Sequence, residues 1–117
     1  MTNTAASFFD GWQADRQAMK EQAPDISRGF GGFYQTIMKE GALSLREKEL
    51  ISLAIGLAMR CSPCINLHVQ GSLKAGATRE QVLEAAGVAV MMQGGPAFTY
   101  VPEVIHALDH LSGESKS

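Results

Sequence analysis

Residues 44–68 read S-L-R-E-K-E-L-I-S-L-A-I-G-L-A-M-R-C-S-P-C-I-N-L-H, and the architecture is decided in the first half of that stretch. Ser44-Leu45-Arg46-Glu47 is a capping box, in which hydroxyl and carboxylate each satisfy an orphan backbone N–H of the other residue. From there to Met59, the residues Leu50, Ile51, Leu53, Ala54, Ile55, Leu57 and Ala58 leave almost no polar face. A helix that is apolar nearly all round is expected to be surrounded by others. A further helix is expected to start at Ser62-Pro63, with serine as N-cap and proline as first helical residue, and to end at Gly76.

On either side the chain keeps the same helical punctuation. An amphipathic segment from about Ala5 to Gln22, with Phe8, Phe9, Trp12 and Met19 as its apolar positions, stops at Pro24. The next, from Asp25 to Glu40, is expected to bury Ile26, Phe30, Phe33, Tyr34 and Ile37. Gly29, Gly31 and Gly32 weaken its propensity by about 1 kcal/mol each, and close helix–helix contact would explain them. Thr78-Arg79-Glu80-Gln81 is a second capping box and opens a helix to about Gln93. Gly94-Gly95-Pro96 ends that helix and starts a last one, kinked or broken at Pro102, to about Leu111. Residues Ser112–Ser117 read as a frayed tail. The expected fold is therefore all-α, a single-domain bundle of about six helices spanning 1–117, with no strand signal, repeat or linker.

Of 117 residues, 45% are hydrophobic and 19% charged, with a formal net charge of −2. That suits one globular core rather than disorder. Without a basic run or a basic-aromatic stripe, no nucleic-acid partner is expected. Met1–Asp10 has neither a basic start nor an apolar run, and no apolar stretch approaches the roughly 18 residues of a membrane span. No membrane association is expected, and the expected address is cytoplasmic. In that reducing compartment two cysteines three positions apart point to catalysis or metal binding rather than to a structural bridge.

Cys61, Cys64 and His68 are separated by three and then four residues, so in a helix they share one face. Cys64 falls in the first turn, where unpaired N–H groups and the helix dipole stabilise a thiolate. His68 can take or return a proton, and the second sulfur can close a disulfide on an oxidised first one. Glu49 flanks the apolar helix; pointed inward, it finds its evident partner on the Cys–His face and can help activate a thiol through water. Two other readings compete: inert buried cysteines beside a core histidine, and a zinc site of Cys61, Cys64, His106 and His110. The separation of the two halves of that zinc set is far longer than a zinc finger uses. His106 and His110 otherwise flank a solvated or interface face. Met91 and Met92 are expected in the core or an interface, and Phe8, Phe9 and Trp12 against a neighbouring subunit.

From about Leu43 to Tyr100 the chain resembles the AhpD-like alkylhydroperoxidase branch of the carboxymuconolactone decarboxylase family. The resemblance is carried by L-S-L-R-E-K-E-L-I-S-L-A, C-S-P-C-I-N-L-H, K-A-G-A-T-R-E-Q-V-L-E-A and M-M-Q-G-G-P-A-F-T-Y. Glu49, and not Glu47, has the family's spacing before the first cysteine. The resemblance implies a helical protomer assembling as a homotrimer or homohexamer. It also implies a thiol-dependent peroxidase or disulfide oxidoreductase in which Cys64 attacks a hydroperoxide or disulfide substrate and Cys61 resolves it. Glu49 and His68 are then a proton relay, and no cofactor is needed beyond the redox-active Cys61–Cys64 disulfide, which a lipoyl or thioredoxin-like dithiol protein reduces. Pro63 stands where peroxidase members carry a further histidine, which gives the motif a thioredoxin-like C-x-P-C form and hints at disulfide exchange. The alternatives are a lactone decarboxylase, whose members generally lack the cysteine pair, and a non-catalytic oligomeric redox sensor.

Overall fold

The computed structural model describes residues 4–113. They form α1 (Thr4–Gln22), α2 (Pro24–Met38), α3 (Leu45–Ala58), α4 (Ser62–Lys74), α5 (Arg79–Gln93), the single turn α6 (Gly95–Phe98) and α7 (Val101–Ser112). No strand occurs among the described residues. Of the expected frayed tail, Ser112 closes α7, Gly113 follows in the left-handed region at φ 79°, and residues 114–117 lie outside the described residues.

Both capping boxes form. Glu47 N–H donates to Ser44 Oγ at 3.0 Å while Ser44 N–H donates to the Glu47 carboxylate at 2.7 Å. The Thr78–Gln81 pair repeats this at 3.1 and 3.0 Å. Donation from the Ser44 backbone, then from its hydroxyl, holds the Glu47 carboxyl below its ordinary range. The last helix is broken rather than kinked. Pro102 has no N–H to offer the carbonyl of Phe98, and its ring would collide with that carbonyl, so the chain restarts as α7 at Val101. Gly94, at φ 93°, makes the sharp exit from α5 that residues with a Cβ rarely adopt.

Helix α3 is the hub. It packs on α4 and α5 and touches α2 and α6, while α4 also packs on α7 and α1. Leu53 and Leu57 of α3, Ile65 and Val69 of α4, Val82 of α5, and Val104 and Leu108 of α7 are fully or almost fully buried. Each such side chain contributes about 1.5–3 kcal/mol by leaving water. Phe8 and Trp12 stack on each other along α1 at 5.2 Å, while Phe9 stacks on His110 at 5.6 Å and so helps close the seam of α1 with α7.

Of the five α2 residues expected to be buried, only Tyr34 is more than half-buried. Ile26, Phe30 and Phe33 are 65–70% exposed and Ile37 is half exposed; α2 has no buried residue. The helix is amphipathic as its sequence demands, but it sits at the periphery, packed mainly on its neighbours α1 and α3, and the described residues leave Ile26, Phe30, Phe33 and Ile37 of its apolar face uncovered. A Cβ at Gly29, Gly31 or Gly32 would meet nothing within 4 Å, so no close helix contact explains these glycines. Met91 and Met92 are likewise exposed rather than in the core, and one flank of α3, at Ile51 and Ile55, reaches the surface.

Candidate functional site

The α3–α4 corner brings the two cysteines to the edge of the core. After α3, Arg60 adopts the left-handed region at φ 54°, an unusual conformation for a residue with a side chain. Cys61 N–H then donates to Gly56 O at 2.9 Å, closing the corner. Gly56 is required there by space: a Cβ would stand 2.8 Å from Cys64 Cβ. The cap of α4 differs from the expectation. Cys61, not Ser62, is the N-cap, and Cys64 N–H donates to Cys61 Sγ at 3.3 Å. Ser62 and Pro63 occupy the first two helical positions, where proline's missing N–H is no loss. Cys61 and Cys64 are joined as a disulfide, with Cα atoms 5.2 Å apart, and both are partly exposed.

Between α3 and α4 lies a buried acid. Glu49, 6% exposed, points from α3 into the seam with α4. Its Oε1 stands 2.7 Å from His68 Nδ1, and its Oε2 accepts a hydrogen bond from the Tyr34 hydroxyl at 3.2 Å. Gly71 makes this possible: a Cβ there would lie 2.7 Å from Glu49 Oε2 and closer still to the rest of the carboxylate. An ionised carboxylate can only accept, so paired with one this contact needs a proton on His68 Nδ1. The Tyr34 ring lies 6.3 Å from the imidazole, inclined by 21°. Burial first, then the charge of Glu49 and the hydrogen bond to it, push the Tyr34 hydroxyl up to about 12.

Tyr34 is the site neighbour that sequence reasoning missed, because it was assigned to the apolar stripe of α2. The available signal was chemical: a phenol in an apolar stripe needs an acceptor for its O–H. Lys48 was missed as well. Its Nζ donates to the carbonyls of Ile37 and Lys39, both at 2.7 Å, tying the end of α2 to α3 one residue before Glu49. His106 and His110 are half-buried on α7. Among the described residues no group of three or more His, Cys, Asp or Glu gathers to hold a metal, so the zinc set of Cys61, Cys64, His106 and His110 is not assembled. No described helix is long and apolar enough to cross a membrane.

The model of the carboxymuconolactone decarboxylase family matches residues 24–107, from the first residue of α2 into α7. The chain belongs to the carboxymuconolactone decarboxylase family. A solved apo structure of a carboxymuconolactone decarboxylase family protein from Legionella pneumophila superposes with a TM-score of 0.83 at 33% identity, covering 98% of this chain and all of that one. An uncharacterized protein encoded in the cox locus of Paracoccus denitrificans is 35% identical over 88 residues, 75% of this chain and 79% of the relative. An uncharacterized protein of Cupriavidus necator is 30% identical over 95 residues, 81% and 84% of the two chains. The carboxymuconolactone decarboxylase family, in its AhpD-like form, thus accounts for the helical architecture and for the length of chain that carries the cysteine pair.

Proposed function

We propose that this carboxymuconolactone decarboxylase family member is a thiol-dependent peroxidase or disulfide oxidoreductase working through Cys61 and Cys64. The observation that carries the reading is a Cys61–Cys64 disulfide, partly open to solvent, at the start of the helix that carries a histidine bonded to a buried carboxylate. In the peroxidase cycle, Cys64 thiolate attacks the distal oxygen of a hydroperoxide. The O–O bond breaks, Cys64 becomes a sulfenic acid and the alcohol leaves with a proton. Cys61 then attacks the Cys64 sulfur, expelling water and forming the disulfide. A dithiol donor, such as a lipoyl or thioredoxin-like protein, returns two electrons and two protons and is itself oxidised to a disulfide. Glu49 and His68 relay the protons.

Disulfide exchange draws support from one specific contact. The amide that donates to Cys61 Sγ would also stabilise a Cys61 thiolate at the start of α4, which favours entry and departure of a mixed disulfide at Cys61. Two substitutions test the peroxidase cycle. With tert-butyl hydroperoxide and dithiothreitol, Cys64→Ser is expected to lose turnover, whereas Cys61→Ser, given the hydroperoxide without a thiol reductant, is expected to accumulate a sulfenic acid on Cys64 that dimedone traps. Turnover unchanged in Cys64→Ser would reject the peroxidase cycle.

The same reading has protomers assembling as a homotrimer or homohexamer, supported by the uncovered apolar faces of α2 and of Met91 and Met92. Light scattering on the purified chain at micromolar concentration tests this, and a monomer would reject it.

A further inference from the structure

We infer that Tyr34 is a positioning residue of this site: its hydroxyl pins the Glu49 carboxylate against His68 and keeps it anionic. The inference deepens the redox reading and rests on it for its consequence in turnover, but its physical content lies in the Glu49–His68 pair itself.

Among the described residues, two side chains bond the buried carboxylate, His68 at Oε1 and Tyr34 at Oε2. The floor beneath it is Gly71, which offers no side chain. Lys48, the neighbouring cation on α3, sends its ammonium to the carbonyls closing α2 and not to Glu49. Without the Tyr34 hydroxyl, Oε2 would be buried with no donor, which is costly for an ionised oxygen. A proton is then the cheapest substitute, so the coupled pair would take one up at higher pH. The donor is well placed to prevent this. Its O–H resists ionisation up to about pH 12, and its ring leans over the imidazole. The Lys48 tether holds the end of α2 beside the site.

Tyr34→Phe removes the hydroxyl and keeps the ring. In the reduced full-length chain, NMR titration of the His68 imidazole, assigned with a His68→Gln variant, reads the pair without any substrate. Its midpoint is expected to rise by about one pH unit in Tyr34→Phe. With tert-butyl hydroperoxide and dithiothreitol, the acid limb of the pH–rate profile is expected to move the same way, with the deficit in kcat/KM shrinking as pH rises. An unmoved or lowered midpoint overturns the role of Tyr34 whatever the activity, as does an unmoved acid limb in an active variant. A raised midpoint in a chain with no turnover supports Tyr34 while rejecting the peroxidase reading.

Discussion

His68 Nδ1 stands 2.7 Å from Glu49 Oε1, a contact that spans 19 residues of sequence and joins α4, the helix that begins at the cysteine pair, to α3. It gives a partner to a carboxylate that would otherwise be costly to bury, and it is the contact on which the proposed proton relay rests. Replacing Glu49 by glutamine keeps the shape and removes the charge. Turnover of hydroperoxide with a dithiol donor is expected to fall roughly 10²–10⁴-fold, the usual worth of a positioned acid–base group. Steady-state kinetics, with circular dichroism confirming the helices, measure it.

Gly71→Ala attacks the same pair from below. The added Cβ would occupy the space of the Glu49 carboxylate, so the acid must swing away from His68. Activity is expected to fall as in Glu49→Gln, with stability reduced by about 1–3 kcal/mol through overpacking. Urea denaturation beside the kinetic assay separates the two effects. Wild-type activity in Gly71→Ala would show that the carboxylate need not sit where it does.

Tyr34 gives a pH signature. Its folded pKa, about 12, lies above the ordinary 10.0. A neutral acid held protonated in this way contributes stability that is fully present below pH 10 and is lost as pH rises through about 12. The Tyr100→Phe variant leaves Tyr34 as the remaining tyrosine, and its phenolate absorbance is expected to appear near pH 12. In Glu49→Gln background the midpoint should fall back toward the ordinary value, because the charge of Glu49 contributes to the shift. Helical circular dichroism recorded alongside shows that ionisation precedes unfolding.

Lys48→Met releases the end of α2. The two carbonyls of Ile37 and Lys39 lose their donor, while the core around Leu53 and Leu57 is untouched. Amide hydrogen exchange is expected to quicken roughly tenfold in the last turns of α2 and to stay as it was in α4 and α5. Uniform acceleration over the whole chain would mean that Lys48 supports global stability instead.

The capped starts of α3 and α5 were legible because each box is a local exchange of hydrogen bonds within four residues. The burial of α2 was not, because amphipathicity says which face wants cover and not whether the same chain supplies it. Ile26, Phe30 and Phe33 show that difference directly. That Cys61 and Cys64 could close a disulfide followed from their spacing. Their cap was misassigned because serine is the commoner N-cap, whereas here the cysteine sulfur takes the Cys64 N–H. Tyr34 escaped because its acceptor lies 15 residues away on another helix, a pairing that no local pattern encodes. The break before α7 was foreshadowed by Pro102, but its place at Thr99–Tyr100 followed from the carbonyl that the proline ring must avoid.

In the proposed cycle, Cys61 and Cys64 together pass a pair of electrons to a hydroperoxide. Titrating the fully reduced chain, anaerobically, with substoichiometric tert-butyl hydroperoxide and counting free thiols tests this most directly. Two thiols are expected to disappear per hydroperoxide consumed, the loss mapping to a Cys61–Cys64 disulfide, and dithiothreitol is expected to restore both. Hydroperoxide left intact by the reduced chain, or thiols lost without that disulfide, would contradict it.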